Sequence, residues 1–348
     1  MAELRYNPLL DDWTMVASHR QNRPQMPKDY CPFCPGSGKV PEEYTVYKYD
    51  NDFPALSNHP PVPDPVGSGL YKTKEAYGAC EVILYSPDHH ATLPQLSVSH
   101  ITQLIDLWTD RFKELEKDPQ HKYILIFENR GEEVGVTMPH PHGQIYAYSY
   151  LPLKIRTELD TCGRHHQTTG RCLICDMNRE EAAFQQRIIR ENAHFAAYIP
   201  FFTDYPYGVF IVSKQHKTAI SDFSNEEKMS LAEILKEITG AMDQLFELPF
   251  PYMMALHQRP VNSDSVEEFY HFHIEFYPPL RSKDRIKYNA SSETAAWAPC
   301  NPRAVEETAE ELRIALQTFL QNDQYMAQKN DQKTGQCDVQ KNAQGDAK

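Results

Sequence analysis

The stretch from Met138 to Leu151, M-P-H-P-H-G-Q-I-Y-A-Y-S-Y-L, carries residue types whose spacing could do chemistry. His140, His142 and Gln144 recur at every second position, so an extended segment would place all three side chains on one face. Two imidazoles and an amide on one surface are enough for a metal ligand, a nucleophile and a hydrogen-bond donor to a phosphoryl group. The alternative is an ordinary polar strand face, and the partner residues described next favour the chemical interpretation.

Two C-x-x-C pairs account for four of the eight cysteines: Cys31/Cys34 and Cys172/Cys175. The N-terminus has no charged-then-apolar signal pattern, and no apolar run approaches the ~20 residues of a membrane helix. We therefore expect a cytoplasmic protein without a membrane partner. Because thiols stay reduced in the cytoplasm, the paired cysteines are better interpreted as metal ligands than as disulfides.

Cys31 and Cys34 combine with two histidines, His89 and His140, into a Cys₂His₂ set. Thiolate and imidazole ligands favour zinc, and four protein ligands leave no open position, so the predicted site is structural. It would pin the strand that carries His142. The alternative is an ordinary tight turn without metal. An internal duplication predicts a second set of the same residue types: Cys172, Cys175, His216 and His271.

The elements that position these residues occur twice in the same order. Periodicity and turn signals predict a strand, a histidine, an amphipathic helix, a second strand and an H-x-H motif. In the first half these are 81–86, His89, 97–117, 123–129 and 138–151. In the second half they are 210–213, His216, 224–246, 252–258 and 271–275. The first histidine precedes the start of the helix by 8 residues in both halves.

The bulk composition excludes some classes of function. With 348 residues, of which 41% are hydrophobic, the chain can bury a sizeable core. The net charge of −13 argues against a nucleic-acid partner, but it does not exclude an anionic small substrate. From about Gln321 the sequence is dominated by polar residues, and we expect a disordered tail over 321–348.

Further motifs accompany H-P-H-G-Q and its following L-P. They are S-P-D-H-x-x-T-L-P at Ser86 to Pro94, N-D-F at Asn51 to Phe53, F-E-N-x-G at Phe127 to Gly131 and F-Y-P-P-L at Phe276 to Leu280. Together they resemble the galactose-1-phosphate uridylyltransferase family of the histidine-triad superfamily. The resemblance covers most of the chain, from about residue 20 to residue 312, and the combination is far more specific than H-x-H alone.

The resemblance implies a uridylyltransferase that exchanges UMP between UDP-glucose and galactose 1-phosphate through a covalent uridylyl-histidine. It implies His142 as the nucleophile, Gln144 as the donor to the phosphoryl oxygens and His140 as a zinc ligand. A neutral imidazole is a competent nucleophile at neutral pH, and donors aimed at developing charge catalyse such transfers. The family contacts nucleotide or phosphate at positions that here are Arg20 or Arg23, Asn51, Asp52, Phe53, Asn129 and Thr137.

The resemblance leaves a second metal site open between two sets. Some members of the family bind iron or a second zinc through one glutamate and three histidines. Glu158, His257 and His273 match three of those ligands here, and Glu275 stands at the fourth position. The internal spacing favours instead the second cysteine set named above, as in two-zinc relatives.

The hexose contacts also depart from the family pattern. The family's hexose-contacting G-Y-E is Ser291-Ser292-Glu293 here, and it follows Lys287-Tyr288. The resemblance implies that Lys287 and Glu293 contact the substrate, with Glu293 offering a carboxylate to the sugar hydroxyls, while the preferred hexose stays open. The alternative for Glu293 is a helix-cap or surface carboxylate.

We expect an α+β fold made of two histidine-triad-like halves, each an antiparallel sheet with packed helices, over residues 1–155 and 156–320. The first would hold the nucleophile and a zinc site, and the second would hold the other metal site and the hexose contacts. The family is usually dimeric, so the resemblance implies a homodimer. Two other hypotheses remain: a related nucleotide-sugar phosphorylase or hydrolase, such as an ADP-glucose phosphorylase, and a non-enzymatic zinc module.

Overall fold

The structure, a computed structural model, describes residues 2–18, 21 and 30–345, with side chains described through Met326 and at Lys329. The strands within these residues are β1 (Ala2–Asn7), β2 (Asp12–Ala17), β3 (Tyr47–Asp50), β4 (Thr73–Glu75), β5 (Gly78–Leu84), β6 (Tyr123–Arg130), β7 (His142–Tyr148), β8 (Ile188–Glu191), β9 (Phe195–Tyr198), β10 (Phe210–Ser213), β11 (Tyr252–His257), β12 (His273–Tyr277), β13 (Leu280–Ser282) and β14 (Arg285–Ile286). The helices are α1 (Val98–Leu115), α2 (Leu153–Thr169), α3 (Leu173–Phe184), α4 (Asn225–Leu245), α5 (Ser291–Ala295) and α6 (Val305–Gly345).

One antiparallel sheet of nine strands runs through both halves, in the order β3-β5-β7-β6-β11-β12-β10-β9-β8. The halves meet where β6 pairs with β11, with Arg130 opposite Tyr252. Outward from that seam, β6-β7-β5 and β11-β12-β10 repeat the same order. The predicted α+β class with antiparallel strands is therefore confirmed, and the two halves share a single sheet instead of having separate ones.

Helices α1 and α4 cover one face of this sheet and pack against each other. Each begins at a serine that satisfies a backbone donor, because the hydroxyl of Ser97 accepts from the N–H of His100 and that of Ser224 from Glu227. Their apolar stripes are buried at the helical spacing that the sequence predicts. Each large apolar side chain buried in this way contributes roughly 1.5–3 kcal/mol. On α1 the buried stripe is Ile101, Leu104, Ile105, Trp108, Phe112 and Leu115.

The opposite face carries a smaller layer that the hydrophobic pattern does not predict. A three-stranded sheet in the order β2-β1-β4 packs on the first half, where Leu4 meets Tyr146 and Tyr148. Ile155 of α2 belongs to the same apolar cluster, whereas Ile174 of α3 packs with Tyr198 and Val212 of the second half. Helix α2 buries only Ile155 and Cys162. Because so few apolar residues are buried, the periodic signal is weak, and the sequence pattern does not predict these helices.

The last helix continues past the position where the sequence predicts a disordered tail. It packs on α4, where Phe319 lies against Gly240, and its backbone stays helical through Gly345. The stretch from Gln321 contains no proline, and seven of its 28 residues are Gln, a good helix former. Among the described helices, none combines the length and the apolar character needed to cross a bilayer.

Candidate active site and metal clusters

The H-P-H-G-Q stretch becomes the start of β7, with its two polar side chains on one face. His142 lies opposite Leu84 and Gln144 opposite Val82 of β5. The carbonyl of His140 accepts a hydrogen bond from Nδ1 of His142 at 2.8 Å. Because a carbonyl can only accept, Nδ1 carries the proton, and Nε2 then holds the lone pair that a nucleophile needs.

Gly143 lies between His142 and Gln144 in the sequence, where Tyr85 and Phe127 closely approach the backbone. A Cβ at this position would clash with the Tyr85 hydroxyl and would lie 3.0 Å from the Phe127 carbonyl oxygen. Glycine is therefore required here by close packing, since its backbone conformation is ordinary. The absence of a Cβ at Gly143 lets the backbone between His142 and Gln144 pack directly against Tyr85 and Phe127.

His142 lines a cavity of about 620 Å³ at one end of the sheet. This volume lies within the ~300–1,000 Å³ range of small-molecule sites. Asn129, at the end of β6, and Thr137, in the loop that follows, line the same cavity, as the predicted nucleotide contacts should. Gln144 lies deeper along the strand and is half-buried. The structure thus brings the predicted nucleophile together with two of the predicted contacts.

Charged residues that the sequence reasoning missed form the inner wall of the cavity. Arg130 is held by Asp243 through two hydrogen bonds of 2.8 and 2.9 Å, and its guanidinium lies 5.6 Å from the Tyr252 ring. Burial raises the pKa of Glu128 to about 7, against the lowering effect of Arg130. The available signal was their position beside Asn129 in the F-E-N-x-G motif.

The first predicted metal set comes together beside the nucleophile. The Sγ–Nδ1 distances are 3.7 Å for Cys31 to His140, 3.6 Å for Cys34 to His89 and 3.7 Å for Cys34 to His140. A tetrahedral zinc with Zn–S near 2.3 Å and Zn–N near 2.05 Å would separate sulfur and nitrogen by about 3.6 Å. The donor set and its dimensions therefore fit zinc.

The protonation of His140 suits metal binding. Its Nε2 donates to the carbonyl of Ser86 at 2.8 Å, which turns the other ring nitrogen toward the two sulfurs. Burial lowers the pKa of His140 to about 4, so the imidazole is neutral at pH 7. A neutral imidazole is the form that binds a metal. The same residue presents its carbonyl to His142, so the cluster and the nucleophile share a backbone segment.

The second cysteine set repeats this geometry in the other half. Cys172 lies 3.7 Å from Nδ1 of His271, and Cys175 lies 3.5 Å from Nδ1 of His216 and 3.3 Å from His271. Nε2 of His271 donates to the carbonyl of Ser213 at 2.9 Å, which matches the bond from His140 to Ser86. All four residues could hold one metal ion.

A third group of possible ligands consists of the alternative set that the family resemblance indicated. The ligand atoms of its four residues lie within 4.8 Å of one another: Glu158, His257, His273 and Glu275. His273 and Glu275 follow His271 at the spacing at which His142 and Gln144 follow His140. The sequence alternatives therefore do not exclude each other, because the structure forms both groups.

Several predicted substrate contacts lie away from the cavity. Asn51, Asp52 and Phe53 form a turn after β3, in which the Asn51 side chain accepts from the N–H of Phe53 at 2.9 Å. They do not line the cavity, because β3 is two strands from β7, or about 10 Å away. Arg20 and Arg23 fall outside the residues that the structure describes.

Lys287 and Glu293 lie near each other but also outside the cavity that His142 lines. The ammonium of Lys287 is 3.0 Å from the Asn289 side-chain oxygen and 3.8 Å from the Glu293 carboxylate. Glu293 accepts from the backbone N–H of Ala290 at 3.2 Å, as the helix-cap alternative predicts. Within one copy of the chain these two residues do not reach the nucleophile.

Sequence comparisons identify the family. Residues 1–152 match the profile of the galactose-1-phosphate uridyl transferase N-terminal domain, and residues 158–296 match that of its C-terminal domain. A galactose-1-phosphate uridylyltransferase from Thermotoga maritima is 42% identical over 314 residues, which cover 90% of this chain and 98% of that protein.

The chain belongs to the galactose-1-phosphate uridylyltransferase family.

Other relatives agree with this assignment. The galactose-1-phosphate uridylyltransferase of Haemophilus influenzae is 35% identical, over 79% of this chain and 83% of its own. A solved uridylyltransferase structure superimposes with a TM-score of 0.84 and 30% identity, over 91% of this chain and 99% of its own. An ADP-glucose phosphorylase from Arabidopsis thaliana has a TM-score of 0.70 at 22% identity, which shows a shared fold and no more. As a member of this family the chain is a transferase.

Proposed function

We propose that this protein exchanges UMP between UDP-glucose and galactose 1-phosphate, with His142 carrying the uridylyl group between the two half-reactions. The observation that carries the proposal is the placement of His142. Its ring is fixed by the His140 carbonyl at 2.8 Å, and it lines a cavity with Asn129 and Thr137. Family membership supplies the substrate class, and this geometry supports the assignment of the nucleophile.

The chemistry follows from the tautomer of His142. The lone pair on Nε2 forms a bond to the α-phosphorus of UDP-glucose, and the bond from that phosphorus to the bridging oxygen breaks. Glucose 1-phosphate leaves with the electron pair. Galactose 1-phosphate then attacks the same phosphorus and restores the imidazole. Gln144, on the same strand face, donates its amide N–H to the phosphoryl oxygens as charge builds up.

We assign zinc to both cysteine clusters as a structural metal. Each has two thiols and two imidazoles, which close a tetrahedral shell and leave no position for substrate. The first cluster would fix the backbone at His140, two residues before His142. Reduced thiols are required at both clusters, which supports a location in the cytoplasm.

We further propose a homodimer in which each copy completes the other's site. Lys287 and Glu293 are sugar-phosphate contacts by family resemblance, but neither lines the cavity of its own chain. A second copy would bring them to the nucleophile. The partners of the protein are then UDP-hexose, hexose 1-phosphate and a second copy of this chain.

The proposal is tested by an exchange assay with UDP-glucose and galactose 1-phosphate, in parallel with ADP-glucose and inorganic phosphate. We expect glucose 1-phosphate and UDP-galactose to form in equal amounts, with parallel-line kinetics typical of a covalent intermediate. Rapid phosphorolysis of ADP-glucose without UDP-sugar exchange would contradict the proposal and favour a phosphorylase. Gel filtration of the wild-type protein tests the homodimer. An activity assay on a mixture of two inactive variants, His142→Asn and Lys287→Ala, tests the shared site, because mixed dimers should regain activity.

A further inference from the structure

The third ligand group, made of Glu158, His257, His273 and Glu275, differs from the two cysteine clusters in what surrounds it. It lies where α2 packs against β11 and β12, beside a separate cavity of about 380 Å³. His257, His273 and Glu275 are buried, so the carboxylate charge of Glu275 must be balanced locally. Either a metal ion or a protein group can supply that positive charge.

A lysine from α2 already contacts these carboxylates. The Nζ of Lys154 lies 2.6 Å from Oε2 of Glu275 and 2.7 Å from the Tyr277 hydroxyl oxygen, and it is 3.9 Å from Oε1 of Glu158. The stem of Lys154 is half exposed while Glu275 is buried, so the ammonium closes the group from the solvent side. The Lys154 ammonium therefore contacts the oxygen atoms that a metal ion in this group would bind.

The remaining polar atoms of the group are also paired. Oε2 of Glu158 accepts from Nδ1 of His257 at 2.9 Å and from the Tyr270 hydroxyl at 3.0 Å. The Tyr277 hydroxyl donates to Oε2 of Glu275, the same oxygen that Lys154 contacts. The group thus satisfies its buried acceptors from within the protein.

A metal ion would conflict with this arrangement. A divalent ion bound to Oε2 of Glu275 at about 2.1 Å would lie within about 5 Å of the Lys154 ammonium, and the two positive charges would repel in a partly buried site. In the cysteine clusters, by contrast, the His140 and His271 rings donate to backbone carbonyls, and their other ring nitrogens face the sulfurs.

We infer that the Lys154 ammonium takes the place of a metal ion in the group formed by Glu158, His257, His273 and Glu275. The group is therefore an internal ion-pair network that ties α2 to β12. The donor types alone suit iron or zinc, but Lys154 does not fit beside a bound ion. The inference concerns metal content and does not depend on the transfer reaction.

The first test uses the wild-type protein as purified. X-ray absorption at the metal edges should give about two sulfur ligands per metal atom, because every bound ion would lie in a cluster with two cysteines. A value clearly below two, with extra oxygen and nitrogen ligands, would reveal an ion in the third group and overturn the inference.

The second test compares variants by elemental analysis and thermal unfolding. Glu158→Gln should contain as many metal ions per chain as wild type, and the loss of one ion would overturn the inference. Lys154→Met should melt about 3 °C or more below wild type, because it leaves Glu275 without its cation. The matched control is Lys214→Met, which removes an exposed ion pair with Glu191 at 3.0 Å. Equal melting temperatures for the two lysine variants would contradict the inference.

Discussion

The two halves of the sheet each have a histidine at the equivalent position, but the residues around the two histidines differ. His142 and His273 each follow a metal-set histidine by two residues, and each donates Nδ1–H to that residue's carbonyl, at 2.8 and 3.0 Å. His142 lines the large cavity, whereas Nε2 of His273 is 3.1 Å from the carboxylate of Glu275. Gln144 stands at the corresponding place in the first half. The scaffold thus presents an imidazole twice, and the proposed nucleophile is the one that has Gln144 two residues further along its strand.

The cysteine clusters teach the opposite lesson, because they are nearly identical in both halves. Each has a C-x-x-C pair, a histidine before a helix and a histidine whose Nε2 donates to a serine carbonyl. Only one half has the proposed nucleophile. A cluster that occurs both in the half with the proposed nucleophile and in the half without it fits the structural role proposed for a closed metal shell.

The largest expected contrast lies between the two histidines themselves. His142→Asn should lower kcat for exchange about 10⁴-fold or more, because it removes the atom that carries the uridylyl group. His273→Asn should leave kcat near that of wild type in protein that remains folded. Steady-state exchange rates and circular dichroism on both variants make the comparison. Equal losses of activity would show that the halves are not functionally distinct.

The residue two positions along each strand gives the next contrast. Gln144→Glu copies the second half into the first, and it should lower kcat by about 10²–10³-fold, since a carboxylate cannot donate to a phosphoryl oxygen. The reciprocal change, Glu275→Gln, should have little effect on kcat. Exchange kinetics at saturating substrate would test both, and an active Gln144→Glu enzyme would remove the amide from the proposed chemistry.

Disruption of either proposed metal cluster should lower stability, but only disruption of the first should strongly slow the reaction. Cys31→Ser should lower kcat about 10–100-fold, as loss of supporting ligands typically does, because His140 holds the His142 ring. Cys172→Ser should lower the melting temperature with a much smaller change in kcat. Metal analysis, melting curves and kinetics on the two variants separate these effects. A slower Cys172→Ser enzyme than Cys31→Ser would contradict the placement of the nucleophile.

The last contrast concerns stability instead of the reaction, and it involves a carboxyl at a position where the second half has none. Phe127 lies opposite Gln144 and Ala255 opposite Glu275, so Glu128 and Leu256 occupy corresponding positions. Burial raises the pKa of Glu128 from 4.5 to about 7. Between those values the folded state binds more protons than the unfolded chain, so the free energy of unfolding falls as pH rises from 4.5 to 7.

The full decline from this one group is about 3 kcal/mol, and it levels off above pH 7. Glu128→Gln should lack that component, so its stability relative to wild type should increase with pH. Denaturant unfolding at pH 5 and pH 8 measures the difference. Parallel pH dependence in the two proteins would mean that Glu128 does not stay protonated in the fold.

The sequence could predict elements that have a strong pattern of their own. Helices α1 and α4, strands β6 and β11, and the grouping of both cysteine sets follow from periodicity, caps and the internal repeat. Ser97 and Ser224, the first residues of the two predicted helical ranges, cap these helices. These features are local, or they repeat at a fixed interval, and a single sequence contains both kinds of signal.

Features that depend on packing between distant segments could not be predicted in this way. No spacing indicates that the β2-β1-β4 sheet covers the first half, or that Lys154 of α2 meets Glu275 of β12, 121 residues away. The two alternative ligand sets form side by side because His273 begins β12 and His271 lies two residues before it, which the sequence alternatives did not anticipate. The positions of Asn51 and Lys287 relative to the cavity depend on how distant segments pack, which a motif does not encode.

The most direct test of the central claim is the mass of the protein after incubation with UDP-glucose alone, followed by peptide mapping. The account predicts one uridylyl group per chain, attached to His142 and lost on addition of galactose 1-phosphate, with no adduct on the His142→Asn protein. An adduct on a different residue, or steady exchange with no adduct on His142, would contradict it.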